Sequence, residues 1–469
     1  MQREFIRREA ELAALQGYLD AVRSAGTGVM VSVRGRRQVG KSRLMEEFLQ
    51  RSGARAVFFA AAQRHGEGEL ARFTDQLAAA SVPGAEIARA GRLGSWEAAL
   101  AIAASGATRD DPIVIVLDEF PYLVESVPGI EGTMQALWDR TLEPLPVLVL
   151  VVGSDVAMME QLSAYNRPLY GRMREMVVRP LSPAAINDLL GLSAGDALDA
   201  YLVIGGFPRL AATWAGAGDV WAFLARELAD PESPLIVFGE RSLSAEFPAD
   251  AKARDVLETI GAGERAFTSI QTRSGVSRGT LDTTLAMLAG KRVITRAVPY
   301  STEPRKLPRY WVADPHLRFF LQFLLPNQVA IERGRGDLVV DLIRAGWQSY
   351  AGRAVEPLIR EAIERTLPDD RFGDARVVGG FWTRDNSIEV DLVGGPDETG
   401  RGGVSFVGSI KWRAGQPLVR ADLARLIEQR AAVPGADNAT TLVGVSRSGF
   451  DTSGLDVALG PDDIIRAFA

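Results

Sequence analysis

The chain has 469 residues, of which 47% are hydrophobic and 24% charged, which are ordinary globular proportions that exclude wholesale disorder and fibrous repeats. At ~150 residues per domain this length implies roughly three domains. Without cysteine and with two histidines, His65 and His316, the chain has no disulfides, thiolate metal sites, cysteine nucleophiles or histidine-rich metal centres; both histidines read as loop or packing residues. A net charge of −6 argues against nucleic-acid binding by the whole surface but leaves room for a local basic patch. No apolar run approaches the ~20 residues that cross a bilayer, and residues 1–11 are charged in both senses without a signal-like apolar stretch, so a soluble cytoplasmic protein is expected.

The basic residues are 48 Arg and only 5 Lys: Lys41, Lys252, Lys291, Lys306 and Lys411. Where such a chain retains Lys, a compact ammonium is a candidate requirement. Lys41 falls in the first informative motif. The apolar run Val29 to Val33 leads into Gly35-Arg36-Arg37-Gln38-Val39-Gly40-Lys41-Ser42, followed by Arg43 and by Leu44, Phe48 and Leu49 at helical spacing. Strand, Gly-x4-Gly-Lys-Ser loop and helix form a phosphate cradle. The glycines let main-chain N–H groups turn inward, and the helix N-terminus adds partial positive charge. Lys41 is expected on the β- and γ-phosphates of ATP and the Ser42 hydroxyl on Mg²⁺.

Next in chain order, Ile113 to Leu117 reads as a strand buried on both faces and ends in Asp118-Glu119. Asp118 is expected to hold Mg²⁺, and Glu119 to orient and deprotonate the attacking water. A strand over Leu145 to Val152 ends in Gly153-Ser154, which makes Ser154 a candidate γ-phosphate sensor beside the acid strand. Downstream, Arg172 lies in a cationic segment with Arg167 and Arg174 and is the candidate arginine finger; acting in trans, it requires a homo-oligomer or partner protein.

These motifs carry a resemblance. Phe5-Ile6-Arg7-Arg8-Glu9-Ala10-Glu11-Leu12, the Gly-Arg-Arg-x-Val-Gly-Lys-Ser loop, Leu-Asp-Glu-Phe, Gly153-Ser154, Pro168-Leu169-Tyr170-Gly171-Arg172 and Gly205-Gly206-Phe207-Pro208 resemble the archaeal-type ATPases of the AAA+/STAND group. The resemblance implies that the opening motif, with Phe5 and Arg8, lies against adenine, although Arg7 replaces that motif's usual glycine. It also implies that Gly-Gly-Phe-Pro belongs to a nucleotide-sensing helical lid.

From Ala251 the pattern predicts a helix with Ala253, Val256, Leu257 and Ile260 on one stripe, a short helix over Phe267 to Thr272, and a third capped by Ser277. Strands over Val293 to Pro299 and Arg309 to Val312 flank a charged tip. The order is that of a winged helix-turn-helix. Glu264 to Val312 holds nine basic and three acidic residues. Arg273, Arg278, Lys291, Arg292, Arg305 and Lys306 are its candidate contacts to double-stranded DNA; an interdomain adaptor is the alternative.

The Tyr310 to Phe320 segment resembles the junction with which this family passes into a restriction-endonuclease-like domain. A helix over Gly346 to Arg365 carrying Glu356 is predicted, then strands over Arg376 to Trp382, Ile388 to Val393 and Val404 to Trp412, a helix over Leu418 to Val433, and a strand over Thr440 to Val445. Such nucleases use a helix Glu, a strand Asp and Glu-x-Lys. Glu356, Asp391 and Lys411 match, while Ser409 replaces the second metal carboxylate. Either the site is inactive, or Glu389 or Glu428 supplies the missing group.

The expected chain is therefore α/β: a P-loop NTPase core with a parallel sheet over 1–180, a helical lid over 181–248, a winged helix over 249–315 and a small restriction-endonuclease-like α/β domain over 316–469. The function expected is an ATP-binding and slowly hydrolysing P-loop ATPase that acts as a nucleotide-controlled switch, with ATP and Mg²⁺ as cofactors. An ATP-regulated DNA nuclease and a DNA-binding scaffold are the alternatives.

Overall fold

Runs of Val, Ile and Leu too apolar to face water on either side set the centre of the N-terminal part. In the computed structural model, which describes residues 8–246, 251–300, 307–398 and 400–469, these runs become strands buried along their whole length. The chain divides into two compact units, the first ending at Pro180 and the second beginning at Leu181.

In the first unit, β1 (Val29–Arg34), β2 (Arg55–Ala60), β3 (Ile113–Asp118), β4 (Val147–Gly153) and β5 (Met173–Val177) form one sheet in the order β2-β3-β4-β1-β5. Every pairing is parallel. β4 starts two residues later than predicted, since Pro146 has no N–H to give to a ladder. Helix α1 (Glu9–Ala25) buries Leu12, Leu15, Leu19 and Val22 at helical spacing, and α2 (Lys41–Ser52) buries Leu44, Met45 and Phe48. Helices α3 (Gly66–Ala79), α4 (Ala85–Ala90) and α5 (Trp96–Ala104) cover the β2 side, where Phe59, Phe73 and Trp96 meet at 5.3 to 5.8 Å between ring centres. α6 (Phe120–Ser126), α7 (Ile130–Leu137) and α8 (Val156–Leu162) complete the unit. With all five strands pointing one way, the segments that leave their C-terminal ends gather along a single edge.

The second unit opens with five helices, α9 (Pro183–Leu190), α10 (Ala194–Ile204), α11 (Pro208–Trp214), α12 (Val220–Leu228) and α13 (Pro234–Glu246). Ser182, Ser193 and Asp219 cap α9, α10 and α12 through their side chains, and Trp214 stacks on Phe223. The Gly-Gly-Phe-Pro segment is the α10–α11 connection. Gly205 ends α10 at φ +59°, a conformation that favours glycine. Then come α14 (Ala251–Gly261), α15 (Phe267–Ser274) and α16 (Arg278–Gly290), with Ser277 accepting a hydrogen bond from the Thr280 N–H, and an antiparallel hairpin of β6 (Ile294–Ala297) and β7 (Arg309–Val312).

After α17 (Pro315–Phe319) and α18 (Gln328–Glu332), the helix predicted over Gly346 to Arg365 is two helices, α19 (Gly336–Ala354) and α20 (Glu356–Thr366). Pro357 lacks the N–H that would continue the ladder and crowds the preceding turn. Strands β8 (Val377–Trp382), β9 (Glu389–Gly395) and β10 (Phe406–Lys411) form an antiparallel meander. A short pair, β11 (Leu418–Val419) with β13 (Phe450–Asp451), flanks α21 (Arg420–Arg430) and β12 (Thr441–Ser446), which lies parallel to β10. The predicted start of α21 at Leu418 is thus taken by a strand. β14 (Val457–Leu459) and α22 (Pro461–Arg466) were not predicted; the sheet order is β14-β12-β10-β9-β8.

This sheet is tied to the helical bundle by a buried carboxylate. Asp199 of α10 accepts from Trp412 Nε1 at 2.8 Å and from Arg447 Nε at 3.0 Å, and burial raises its pKa. Asp199→Ala leaves both donors without their acceptor, and removing one member of a buried pair costs about 3 kcal/mol. The urea midpoint of this unit should fall accordingly and fall less in Asp199→Asn; an unchanged midpoint in Asp199→Ala would contradict the role.

Candidate nucleotide site

β1 continues its pairing with β5 to its last residue, where the Arg34 carbonyl accepts from the Val178 N–H at 2.8 Å. A Cβ on Gly35 would stand 2.2 Å from the Val178 carbonyl oxygen, so no side chain fits where the chain leaves the sheet. The loop then turns through Gln38 at φ +65° and Gly40 at φ +92°, and α2 begins at Lys41. No side chain caps its start, so the first-turn N–H groups of Lys41, Ser42 and Arg43 are available to an anion.

Lys41 is only 5% exposed; its Nζ donates to the Gly35 and Arg36 carbonyls at 2.9 and 3.0 Å. Burial brings its pKa down to about 8, against the opposing pull of Glu119 and Asp118. Ser42 Oγ donates to Asp118 Oδ2 at 2.6 Å, and the Glu119 N–H donates to Asp118 Oδ1 at 2.9 Å. Burial pushes the Asp118 carboxyl upward in pKa while the Ser42 bond holds it back. The juxtaposed hydroxyl and carboxylate are hard oxygen donors of the kind Mg²⁺ selects. Glu119 has a left-handed backbone, φ +51°, and its carboxylate accepts from Ser154 Oγ, which lies 2.7 and 3.0 Å from its two oxygens. β4 lies between β3 and β1, and so carries this hydroxyl to the acid pair.

Other predicted site residues are placed differently. Arg8 is buried and donates to the Val39 carbonyl at 2.9 Å, the Arg179 carbonyl at 2.7 Å and Glu11 at 2.7 Å; its guanidinium is spent on bracing the loop rather than held open for a base. Phe5 lies outside the described residues. Arg37 donates to the Tyr122 hydroxyl at 2.8 Å and Arg43 to Glu46 at 3.2 Å, while Val39 is fully buried. Tyr122 was missed: only its place one helical turn after Glu119 signalled it.

Arg172 requires correction as a finger acting within its own chain. It precedes β5, whose first residue Met173 pairs with Met30 at the start of β1, whereas the loop leaves the other end, roughly 17 Å away along the strand. Its guanidinium makes a bidentate pair with Asp139 at 2.7 and 2.8 Å. Arg167 pairs with Glu131 and Arg174 lies over the Tyr18 ring, so neither is held toward the loop.

In the second unit, Asp391 accepts from the Ile410 N–H at 2.8 Å and Ser409 Oγ at 3.3 Å. Glu356 faces Arg360 at 3.3 Å and Arg265 at 4.0 Å; burial raises the pKa of both carboxyls. Lys411 lies 3.7 Å from Asp422, Glu389 pairs with Arg309, and Glu428 is exposed. Among the described residues no group of three or more His, Asp and Glu side chains is arranged to hold a metal. The predicted nuclease set is therefore partly assembled, with guanidiniums standing beside its helix carboxylate.

Of the basic residues, Arg273 pairs with Glu264 at 3.1 Å, Arg278 lies over the Phe267 ring, Arg292 has φ +56°, and Lys291 follows the last residue of α16. Arg305 and Lys306 lie outside the described residues. The hairpin rests on β8: the Tyr300 N–H donates to the Gly380 carbonyl at 2.8 Å, Trp382 Nε1 to the Leu307 carbonyl at 3.0 Å, and Arg309 lies over the Trp382 ring. His316 is buried with Nδ1 2.8 Å from the Val203 carbonyl, burial lowering its pKa; His65 is exposed just before α3.

Residues 5–212 match a family model described as an ATPase domain predominantly from Archaea, and residues 320–425 match one described as archaeal and bacterial proteins of unknown function. An uncharacterized protein of Methanocaldococcus jannaschii is 25% identical over 414 residues, 87% of this chain and 88% of its own. Among solved structures, the Walker-type ATPase of Pyrococcus abyssi is 18% identical with a TM-score of 0.47, over 68% of this chain and 97% of that one. The ORC2 protein of Aeropyrum pernix is 13% identical with a TM-score of 0.46, over 74% and 98%. The loop geometry and the parallel sheet are those of a P-loop NTPase fold at the N-terminal end of the chain. Among the described residues no helix is long and apolar enough to cross a membrane.

A Lys41 pKa near 8 has a measurable consequence. A triphosphate beside the ammonium raises that pKa, so nucleotide binding should take up a proton between about pH 8 and 9 and almost none below pH 7. Calorimetry in two buffers of different ionisation enthalpy should give diverging binding enthalpies only in the higher range. Identical enthalpies throughout would contradict a buried, partly neutral Lys41.

Proposed function

We propose that the protein, through its archaeal-type P-loop domain, is an ATP-binding and slowly hydrolysing switch whose nucleotide state governs the helical lid, winged helix and C-terminal domain. The observation that carries this reading is the uncapped start of α2 behind the Gly35–Gly40 loop, with Lys41 inside it and the Ser42–Asp118 pair beside it. Main-chain N–H groups and the Lys41 ammonium take the β- and γ-phosphate oxygens, exchanging carbonyl partners for charged ones. Ser42 and Asp118 would hold Mg²⁺, which would neutralise charge on the phosphates. Glu119 orients a water and accepts its proton. Ser154, bonded to Glu119, is the positioning residue for that base and reports on the γ-phosphate through the same hydroxyl.

Within the second unit, the reading assigns 181–248 to a lid, 249–315 to a winged helix and 316–469 to a restriction-endonuclease-like domain with a degenerate site. Contact of the hairpin with β8 through Tyr300, Trp382 and Arg309 favours the adaptor role of the winged helix over DNA binding by the hairpin. Loss of nuclease activity is supported by Ser409 in the carboxylate position and by Arg265 and Arg360 beside Glu356, since both changes oppose a divalent cation. The finger role of Arg172 is kept only for a second copy acting in trans.

ATP titrated calorimetrically should bind the natural protein and not Lys41→Ala; retained binding in that variant would refute the assignment. Glu119→Gln should bind ATP as well as the parent while hydrolysis falls about 10² to 10⁴-fold. Magnesium-dependent DNA cleavage that survives Glu119→Gln and disappears in Asp391→Ala would instead establish the nuclease reading.

A further inference from the structure

A cavity of about 240 Å³ opens within the second unit, where the end of α14 and strand β7 meet α19, α20 and the segment after α17. Its charged lining is lopsided: Arg265, Arg318, Arg353 and Arg360 against the single carboxylate of Glu356. None of these guanidiniums is neutralised in the usual bidentate way. Arg318 directs Nε and Nη2 to the Val312 carbonyl, at 3.0 and 2.6 Å, and Nη1 to the Ala354 carbonyl at 3.0 Å; carbonyl dipoles satisfy its donors but cancel no charge. Arg360 likewise spends two bonds on the Asp391 main-chain oxygen, at 3.0 and 2.7 Å, and reaches Glu356 only at 3.3 Å. Arg265 stands 4.0 Å from that same carboxylate, beyond hydrogen-bond reach. Arg353 is exposed at the rim. Burial holds Arg265 and Arg318 below their usual pKa, with neighbouring guanidiniums adding to that shift and Glu356 opposing it.

We propose that this cavity binds the phosphate group of a small phosphorylated molecule. A metal ion is a poor occupant, because the one anionic ligand is already shared by two arginines. A planar carboxylate takes one fork, whereas a tetrahedral phosphate dianion offers oxygens to guanidiniums arriving from several directions. The cavity is larger than a phosphate alone and carries an apolar wall from Trp311, Phe323 and Tyr350, which suits an organic body attached to the phosphate. An anion held here links the three-helix-and-hairpin segment to the C-terminal sheet domain through Arg265 on one side and Arg353 and Arg360 on the other. The site is therefore placed to bias how firmly those two parts are joined.

The test uses the full-length Lys41→Ala protein, so that phosphate captured at the P-loop does not contribute. Inorganic phosphate and adenosine monophosphate are titrated by calorimetry at ionic strength fixed with sodium chloride. Saturable binding of either probe is expected, with affinity reduced roughly tenfold or more by Arg353→Gln and by Arg265→Gln, and unchanged by Arg466→Gln on the surface of α22. Arg353 is exposed, so its variant reports on binding even if Arg265→Gln fails to fold. No saturable binding of either probe, or binding undiminished in Arg353→Gln, overturns the proposal. Because the Lys41→Ala background is already blind to the P-loop, failure here leaves the ATPase reading standing, and failure of ATP binding in the natural protein leaves this one standing.

Discussion

A polyanion can be held without a matching stack of cationic side chains only where main-chain N–H groups converge, and in this protein that convergence depends on five strands running in one direction. Parallel pairing brings the Gly35–Gly40 loop, the Asp118-Glu119 pair and Ser154 to one edge of the sheet. The same pairing carries Arg172 to the opposite edge. Strand direction, more than the identity of any one side chain, thus separates residues that act together from residues that do not.

The charged groups around that edge are held by partners within the protein. Lys41 rests on two carbonyls of its own loop, Arg8 braces the same loop through Val39, and Ser42 engages Asp118. Such contacts restrain a glycine-containing loop in one shape. Burial leaves Lys41 desolvated and reduced in basicity. The Ser154–Glu119 bond belongs to the same economy, fixing a carboxylate on a left-handed backbone that a free side chain would not maintain.

The second unit shows the opposite electrostatic arrangement. Around Glu356 the chain places the guanidiniums of Arg265 and Arg360, and Lys411 lies beside Asp422. Two of the nearby arginines, Arg318 and Arg360, donate to carbonyl oxygens, which take up hydrogen bonds without cancelling charge. The hairpin, the helical bundle and the C-terminal sheet are joined by individually identifiable contacts: Tyr300 and Trp382 on one side, Asp199 with Trp412 and Arg447 on the other. All of these contacts lie within the second compact unit, Leu181–Ala469.

What the sequence determined by itself was whatever depends on near neighbours. The Gly-x4-Gly-Lys-Ser spacing dictates a loop opening a helix, the runs at 113–117 and 147–152 dictate strands buried on both faces, and Ser277 before α16 dictates where that helix starts, because each requirement is met within a few residues. The break at Pro357 was equally local and was overlooked because the apolar spacing continues across it. Tertiary structure alone decided the partners of the long charged side chains. Arg8 on Val39 and Arg179, Arg172 on Asp139, Lys411 on Asp422 and the arginines around Glu356 are choices made across the fold, since a guanidinium or ammonium on a flexible stem reaches many acceptors and only the packed chain determines which stands within about 4 Å.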